Sequence, residues 1–147
     1  MKHFQYLVLF FVTLLSFNKS CLAQTFQEQL VCSEKAERYI TEIRRDLTEN
    51  QSSNYKVSDF NDINHFDKKT QRCFVLYSYF VFGEINHRHK TLVDVLEKKW
   101  IGEFNEHTDS NKNWNLNSLA CYVGTNPKIV CSSENEFDEL AKKFIGD

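Results

Sequence analysis

Proline and glycine are scarce in this sequence. Pro127 is the only proline, and four glycines are spread over the 147 residues. Flexible linkers and low-complexity tracts depend on such residues, and neither a tract of this kind nor an internal repeat is visible. The scarcity therefore predicts one continuous folded unit rather than two domains joined by a flexible connection.

Short catalytic and cofactor-binding motifs are also absent. The sequence contains no G-x-S-x-G, no H-E-x-x-H, no phosphate-binding glycine loop and no EF-hand spacing. No two cysteines are spaced as C-x-x-C, which argues against a thioredoxin-like redox site and a standard zinc knuckle. These absences remove specific enzyme classes without excluding every enzyme, and the sequence indicates no cofactor.

A short apolar run near the N-terminus indicates an export signal. Residues 7–15 are apolar apart from one threonine, and a membrane span needs about 20 such residues. A basic residue precedes the run, and Cys21 and Ala23 supply the small residues that signal peptidases recognise before a cut. We therefore predict a signal peptide over residues 1–23 and one mature domain over residues 24–147, which is periplasmic or secreted.

Cys21 leaves one alternative open. In bacteria a cysteine just after the apolar run can be lipidated and become the mature N-terminus. Lipoprotein signals usually carry a leucine-like residue three positions before that cysteine, whereas this chain has Asn18 there and Lys19 next to it. The departure favours simple cleavage after Ala23.

The charge balance bears on partners. Two of the 18 basic residues and none of the 20 acidic residues lie in the predicted signal, so the mature domain has 16 basic residues and a net charge of −4. It has no basic run. Because a mildly acidic domain repels phosphate backbones, nucleic acid is not an expected partner. After signal cleavage no membrane span is expected.

The cysteine count fits an oxidising compartment. The predicted mature domain contains Cys32, Cys73, Cys121 and Cys131, and an even number in an exported chain indicates two disulfides. If a turn centred on Asn126 joins two strands, Cys121 and Cys131 face each other at about 4.5–5.5 Å between Cα atoms, which a disulfide can bridge. We predict that pair, together with Cys32–Cys73.

Periodicity predicts an α+β fold. A helical stripe runs through Cys32, Ala36 and Ile40, and residues 73–82 are apolar at both alternating positions, as in a strand covered on both faces. The pair Ser133 and Glu136 begins a C-terminal helix with a capping box. We predict an N-terminal helix, an antiparallel sheet of about five to six strands and a C-terminal helix, with both helices on one face.

Other segments are assigned in less detail. Residues 55–66 are predicted as a strand followed by a turn, because the apolar residues Phe60, Ile63 and Phe66 are spaced by three. Further strands are expected at residues 91–96, 100–104, 119–124 and 128–131. The polar, Asn-rich residues 106–118 are predicted as a loop.

Two histidines supply the best local metal candidate. His87 and His89 are separated by one residue, so on a strand both rings face the same side, and Glu84 is near enough to add an oxygen ligand. Arg88 and Lys90 disfavour a bound cation. The simpler interpretation is a polar connection that leads into the next strand, and no metal is therefore predicted.

A second polar cluster precedes the central strand. Asp59, Asp62, His65 and Asp67 combine carboxylates with an imidazole, which suits cation binding or acid–base catalysis. Loops between strands are commonly this polar, so a solvated connection is the simpler interpretation.

Trp114 is the candidate binding residue. It lies between Asn113 and Asn115 in the predicted loop, and an aromatic side chain in such a loop is either a contact for a partner or part of the core. The sequence leaves both possibilities open.

Several short motifs are distributed over most of the mature chain. They are Asn64-His65-Phe66, Lys69, Arg72-Cys73-Phe74-Val75, Leu92-x-Asp94 with Glu97, Cys121-Tyr122-Val123, and Cys131-x-Ser133 with Glu136-Phe137. On these residues the chain resembles a class of small exported bacterial proteins, with a signal peptide and four mature cysteines, that have no assigned activity. The resemblance implies a periplasmic or secreted setting and brings no catalytic residues with it.

The sequence favours a binding function without naming a ligand. The lack of a catalytic set, together with Trp114 and the aromatic strand, favours a non-catalytic exported domain for a protein, peptide or envelope component. One alternative is a small hydrolase or metal-dependent enzyme that uses His87, His89, or His65 with Asp62. Another alternative is a secreted enzyme inhibitor that uses the predicted loop as a plug.

Overall fold

The computed structural model describes residues 2–49, 55–108 and 113–146, and it describes side chains from residue 26 onward except those of 116–119. These residues form two helices and six strands: α1 (Lys2–Glu49), β1 (Lys56–Asp67), β2 (Arg72–Phe82), β3 (His87–Asp94), β4 (Lys99–Thr108), β5 (Trp114–Val123), β6 (Ile129–Val130) and α2 (Glu134–Ile145). The predicted α+β fold is confirmed.

The N-terminal helix is longer than its amphipathic stripe. α1 runs without a break across Ala23, so the predicted export signal and the first mature helix lie in one element. The side chains of the predicted signal, with Cys21 among them, lie outside the described residues, and cleavage stays a prediction. Among the described residues, no helix combines the length and the hydropathy that crossing a membrane requires.

The sheet is an antiparallel meander. Its strands lie in the order β1-β2-β3-β4-β5-β6, and each pairs with the strand that follows it in the sequence. β1 continues through the predicted turn because a β-bulge interrupts its register between Ser58 and Asn61, where Asp59 has a φ of 51°. Beyond the bulge the side chains alternate regularly, with Phe60 and Phe66 on one face of β1 and Ile63 on the other, so the apolar spacing of three comes from the two faces of a strand and not from a turn.

The predicted loop over residues 106–118 is mostly strand. β4 extends to Thr108 and β5 begins at Trp114, while residues 109–112 lie outside the description. Of the described polar residues here, Glu106 and His107 are half-buried, Thr108 is buried and Asn115 is exposed, and pairing with the neighbouring strand outweighs the weak intrinsic β-propensity of glutamate and asparagine.

The two helices pack on opposite faces of the sheet, which corrects the expectation that they share one. The α1 face is the side on which these residues are buried: Cys32, Ala36, Ile40, Cys73, Val75, Tyr77 and Val93. The α2 face buries the residues Phe74, Leu92, Phe104, Cys121, Phe137 and Ala141. Because β2 is apolar at both odd and even positions, each face needs a cover, and one helix on each face provides it.

Both predicted disulfides are confirmed. Cys32 and Cys73 lie 5.4 Å apart at Cα and join α1 to the start of β2. Cys121 and Cys131 lie 5.1 Å apart and close the β5–β6 hairpin, in which Tyr122 pairs with Val130 as the centred turn requires.

The start of α2 departs slightly from a standard capping box. The Ser133 hydroxyl accepts a hydrogen bond from the Glu136 amide at 3.3 Å, as predicted. The Glu136 carboxylate, however, accepts from the amide and the hydroxyl of Ser132, at 2.8 and 2.7 Å. These bonds lower the pKa of Glu136 below its ordinary value. These bonds join the first turn of α2 to the segment that follows Cys131.

Candidate functional site

The two ends of the sheet are buried to different extents. The first four residues of β3 are half-buried, whereas Thr91, Val93 and Asp94 in its second half are buried. We call the half-buried end, which carries Phe82, Ile85, His87, Thr108 and Trp114, the open end. The opposite end, which carries Cys73, Phe74, Val93, Asp94 and Val95, is the closed end.

Trp114 lies at the open end on the α2 face. Its ring meets the ring of Phe80 edge to face, with centroids 5.5 Å apart. The Arg88 guanidinium carbon lies 4.8 Å from the Trp114 ring centroid and 5.0 Å from that of Phe80. With 37 % of its surface exposed, Trp114 both packs on the sheet and presents a surface to solvent.

Ion pairs hold Arg88 beneath the tryptophan. Arg88 contacts the carboxylates of Glu106, at 3.3 Å, and Glu134, while Lys90 contacts Glu134 and Asp138, both at 2.8 Å. Burial opposes ionisation of Glu134, but the bonds from Lys90 and the charge of Arg88 outweigh burial and lower its pKa. The network links β3, β4 and α2, and it keeps Arg88 from turning into solvent.

Exposed apolar side chains surround this arrangement. Phe82 is 44 % exposed and stacks on Phe80 with centroids 5.6 Å apart, and Ile85 is 49 % exposed in the β2–β3 turn. Large aromatic and aliphatic surface next to an immobilised arginine is the composition of protein-binding hot spots.

A groove on the same face leads away from Trp114. Its nearer part, about 390 Å³ in volume, is lined by Ser78, Phe80, Arg88 and Glu134 among others. Its further part, about 290 Å³, shares Ser78 and reaches Ile145 at the end of α2. The groove is therefore polar near Arg88 and more apolar near the C-terminal end of α2.

Three histidines meet on the other face of the open end. The rings of His87 and His89 lie 5.9 Å apart between centroids, those of His87 and His107 lie 6.1 Å apart, and His89 stacks on Tyr79 at 4.9 Å. Burial and the charge of His87 lower the pKa of His89 to about 4. Burial and the charge of His107 lower the pKa of His87.

This histidine arrangement falls short of a preformed metal centre. His87 and His89 do lie on one face, as the spacing predicted, and His107 adds a third ring. Nevertheless, within the described parts of the chain no group of three or more His, Cys, Asp or Glu side chains is arranged to hold a metal ion.

The acidic cluster predicted before the central strand is dispersed. Asp62 pairs with Tyr77 and His65 with Phe74, so their side chains lie on opposite faces of β1. Asp62 contacts Arg44 at 3.5 Å. The spacing that suggested a joint site for His65 and Asp62 therefore does not bring them together.

The two remaining acids of that cluster have local roles. Asp59 occupies the bulge and accepts a hydrogen bond from the Ser58 hydroxyl. The Asp67 carboxylate accepts from the Thr70 hydroxyl at 2.6 Å and the Lys69 amide at 2.9 Å, which lowers its pKa. Both acids shape turns or bulges in the backbone.

Part of the resemblance motif forms a structural network at the closed end. Asp94 is fully buried and accepts hydrogen bonds from the amides of Leu96 and Glu97, at 3.1 and 3.2 Å. Arg72 contacts Asp94 at 3.4 Å and Glu97 at 3.1 Å. These residues fix the β3–β4 turn, which is a role in folding and not in chemistry.

Comparison with protein-family models, with curated proteins and with solved structures finds no match to this chain.

Sequence reasoning missed three members of the open end. Phe80 and Arg88 were assigned to a strand and to a polar connection, and His107 to a loop, because their approach depends on strand register. The alternation of His87, Arg88 and His89 was a usable signal, since it places the arginine on the face opposite the two histidines.

Proposed function

We propose that this chain is a non-catalytic exported binding domain whose open end contacts a protein or peptide partner. The observation that carries the proposal is that the Trp114 ring packs against Phe80 and Arg88 and still exposes 37 % of its surface to solvent. An aromatic side chain fixed in this way loses little conformational entropy on binding, and tryptophan and arginine are enriched among the residues that dominate binding energy.

The surroundings of Trp114 support a macromolecular partner over a small molecule. Phe82 adds exposed apolar surface that is continuous with Trp114 through Phe80, and Ile85 adds more in the turn after β2, whereas the adjoining groove is open and largely polar near Arg88. Small-molecule sites are usually concave and mostly apolar, and contiguous exposed apolar patches are typical of protein contacts. An enzyme inhibitor would use the same surface, with the inhibited enzyme as its partner.

The setting of the proposal is an oxidising compartment outside the cytoplasm. The two disulfides, Cys32–Cys73 and Cys121–Cys131, are consistent with such a compartment. The predicted signal peptide over residues 1–23 and the resemblance to exported bacterial proteins support export by a periplasmic or secretory route.

The chain's two tryptophans provide a matched test. Tagged full-length chain is expressed in its source and recovered with bound proteins, and the Trp114→Ala variant is compared with Trp100→Ala. Trp100 is 54 % exposed and lies at the start of β4, so its removal takes away similar surface elsewhere. We expect Trp114→Ala to weaken capture of the partner by about thirtyfold, as removal of a hot-spot residue does, and Trp100→Ala to leave capture unchanged.

Denaturant unfolding of both variants shows whether they remain folded. A folded Trp114→Ala variant that retains every partner would refute the proposal. Equal loss in both variants would also refute it, because binding would then not depend on the open end.

A further inference from the structure

The three histidines lie directly behind the Trp114 contact. Along β3, His87 and His89 face the α1 side, and Arg88 between them faces the α2 side, where it contacts Trp114. Across the sheet His87 pairs with His107, and the next residue of β4, Thr108, pairs with Trp114. Arg88 belongs to β3 and Trp114 is paired with β4. A separation of β3 from β4 at the histidines therefore changes the distance between Arg88 and Trp114.

The groups that face the histidines offer little compensation for positive charge. β2 presents Tyr79, which stacks on His89. β4 presents His107, then Asn105, a neutral side chain that pairs with His89 and whose buried oxygen has no hydrogen-bond partner among the described residues, and then Glu103, which pairs with Thr91. On the α1 side, Arg44 lies over Phe60 at 4.6 Å and pairs with Asp62, and Phe60 in turn stacks on Tyr79.

The described side chains of β5 add no charge beside the histidines. This strand presents Asn115 opposite His107 and Tyr122 opposite Glu103. Within the described part of the chain, no carboxylate forms an ion pair with His87, His89 or His107. Protonating this cluster would place like charges about 6 Å apart, and the described residues provide no ion-pair partner for them.

We propose that the His87, His89 and His107 cluster makes the open end acid-sensitive, so that protonation separates β3 from β4 there and withdraws Arg88 from Trp114. The conformational part of this inference stands on the geometry of the cluster alone. Its consequence for partner binding, a loss of affinity in acid, rests on the proposed function.

The direction of the acid response follows from the lowered pKa values of two histidines. The pKa of His89 is lowered to about 4 and that of His87 is also lowered, mainly by burial. A histidine released to solvent titrates near about 6.5. Between these values the separated form binds more protons than the paired form, so acidification favours separation, and above about pH 7 the equilibrium no longer depends on these groups.

The experiment uses Trp114 as its own reporter. The full chain contains two tryptophans, so Trp100→Phe leaves Trp114 as the single tryptophan, which is excited selectively over the tyrosines. Its emission is recorded from about pH 7.5 to about pH 4.5, and hydrogen exchange of residues 86–90 is measured over the same range. We expect a reversible red shift and an increase in exchange of about tenfold at pH 5, after correction for intrinsic rates.

Variants test the contribution of individual rings. His87→Gln and His107→Gln are made as separate single variants, so that the test can proceed if only one of them folds. Each is expected to weaken the transition or move it to lower pH. His65→Gln is the matched control, because His65 lies beside Gly146 at the end of α2, away from the cluster. An emission spectrum that does not change with pH, or an identical transition in all variants, would overturn the inference.

The outcome is independent of the partner experiment. If the fluorescence transition occurs and Trp114→Ala retains every partner, the acid response stands and the proposed function fails. If the transition is absent while Trp114→Ala loses its partner, the proposed function stands and the acid response fails.

Discussion

At the closed end of the sheet β3 is buried on both faces, and at the open end the same strand is half exposed. At the closed end, Asp94 is fully buried in a network with Arg72 and the β3–β4 turn. Arg88, six residues earlier, is also ion-paired, but it lies under an aromatic ring that reaches solvent. Ion-paired side chains thus hold the fold together at one end and support an accessible surface at the other.

The difference teaches where to look for function in a chain without a catalytic motif. Buried polar residues that hold a turn and an ion pair together, such as Asp94, are explained by folding. Apolar residues that stay exposed although a strand positions them, such as Phe82 and Trp114, are not. Because these two side chains are connected through Phe80, they form a contiguous patch, and such a patch indicates a contact with another molecule where a single exposed side chain does not.

The largest expected contrast lies within one strand. Phe74 and Phe82 occupy the same face of β2 at its two ends, and they are 2 % and 44 % exposed. Phe74→Ala removes an edge contact with Phe144, whose centroid lies at 5.3 Å, and leaves a cavity, so we expect a loss of about 3–5 kcal/mol in unfolding free energy. Phe82→Ala should cost less than about 1 kcal/mol.

Urea unfolding of the two variants measures this contrast. Equal costs would mean that the open end is as well packed as the closed end, and the comparison between the ends would then fail.

A somewhat smaller effect is expected from the disulfide of the closed end. Cys32 and Cys73 are 41 residues apart, and Cys121 and Cys131 are 10 apart. By the loop-entropy relation, replacing the first pair by alanine should cost about 4 kcal/mol and the second about 3 kcal/mol. Guanidinium unfolding of the two double variants tests the order. A larger loss of unfolding free energy for the Cys121–Cys131 variant would contradict it.

The smallest of the three effects concerns one buried carboxylate. Asp94→Ala deletes two hydrogen bonds to the β3–β4 turn and leaves Arg72 without its buried partner, so we expect a loss of about 2–3 kcal/mol. Asp62→Ala is the control, because its ion pair with Arg44 is half exposed and should contribute less than about 1 kcal/mol. Thermal unfolding that ranks the two variants the other way would show that the turn does not depend on Asp94.

Local signals were sufficient to predict most of the elements and both disulfides. The apolar stripe of α1 and the β5–β6 turn each act over a few residues, and Cys121 and Cys131 are placed opposite each other by that turn alone. The side of the sheet on which each helix packs was predicted wrongly, because an apolar β2 accepts a helix on either face. The choice depends on the whole sheet and not on the helix itself.

The candidate site could be predicted only in part. Trp114 was singled out from its polar neighbours, and its contacts with Phe80 and Arg88 became visible only with the strand register. The same is true of His107, which reaches His87 through the pairing of β3 with β4. A bulge such as the one at Asp59 changes the register by one residue, and no short-range pattern in the sequence locates it.

The strand order has a consequence for how the chain is made. Each strand pairs with the one just before it, so the sheet can grow in the order of synthesis and its contacts stay local in sequence, which favours rapid folding. The core on the α2 face, by contrast, is completed only by Phe137 and Ala141, which belong to the last element. Until that helix arrives, a nearly complete sheet exposes half of its core, so chains that stop short of α2 should be recognised and degraded as misfolded.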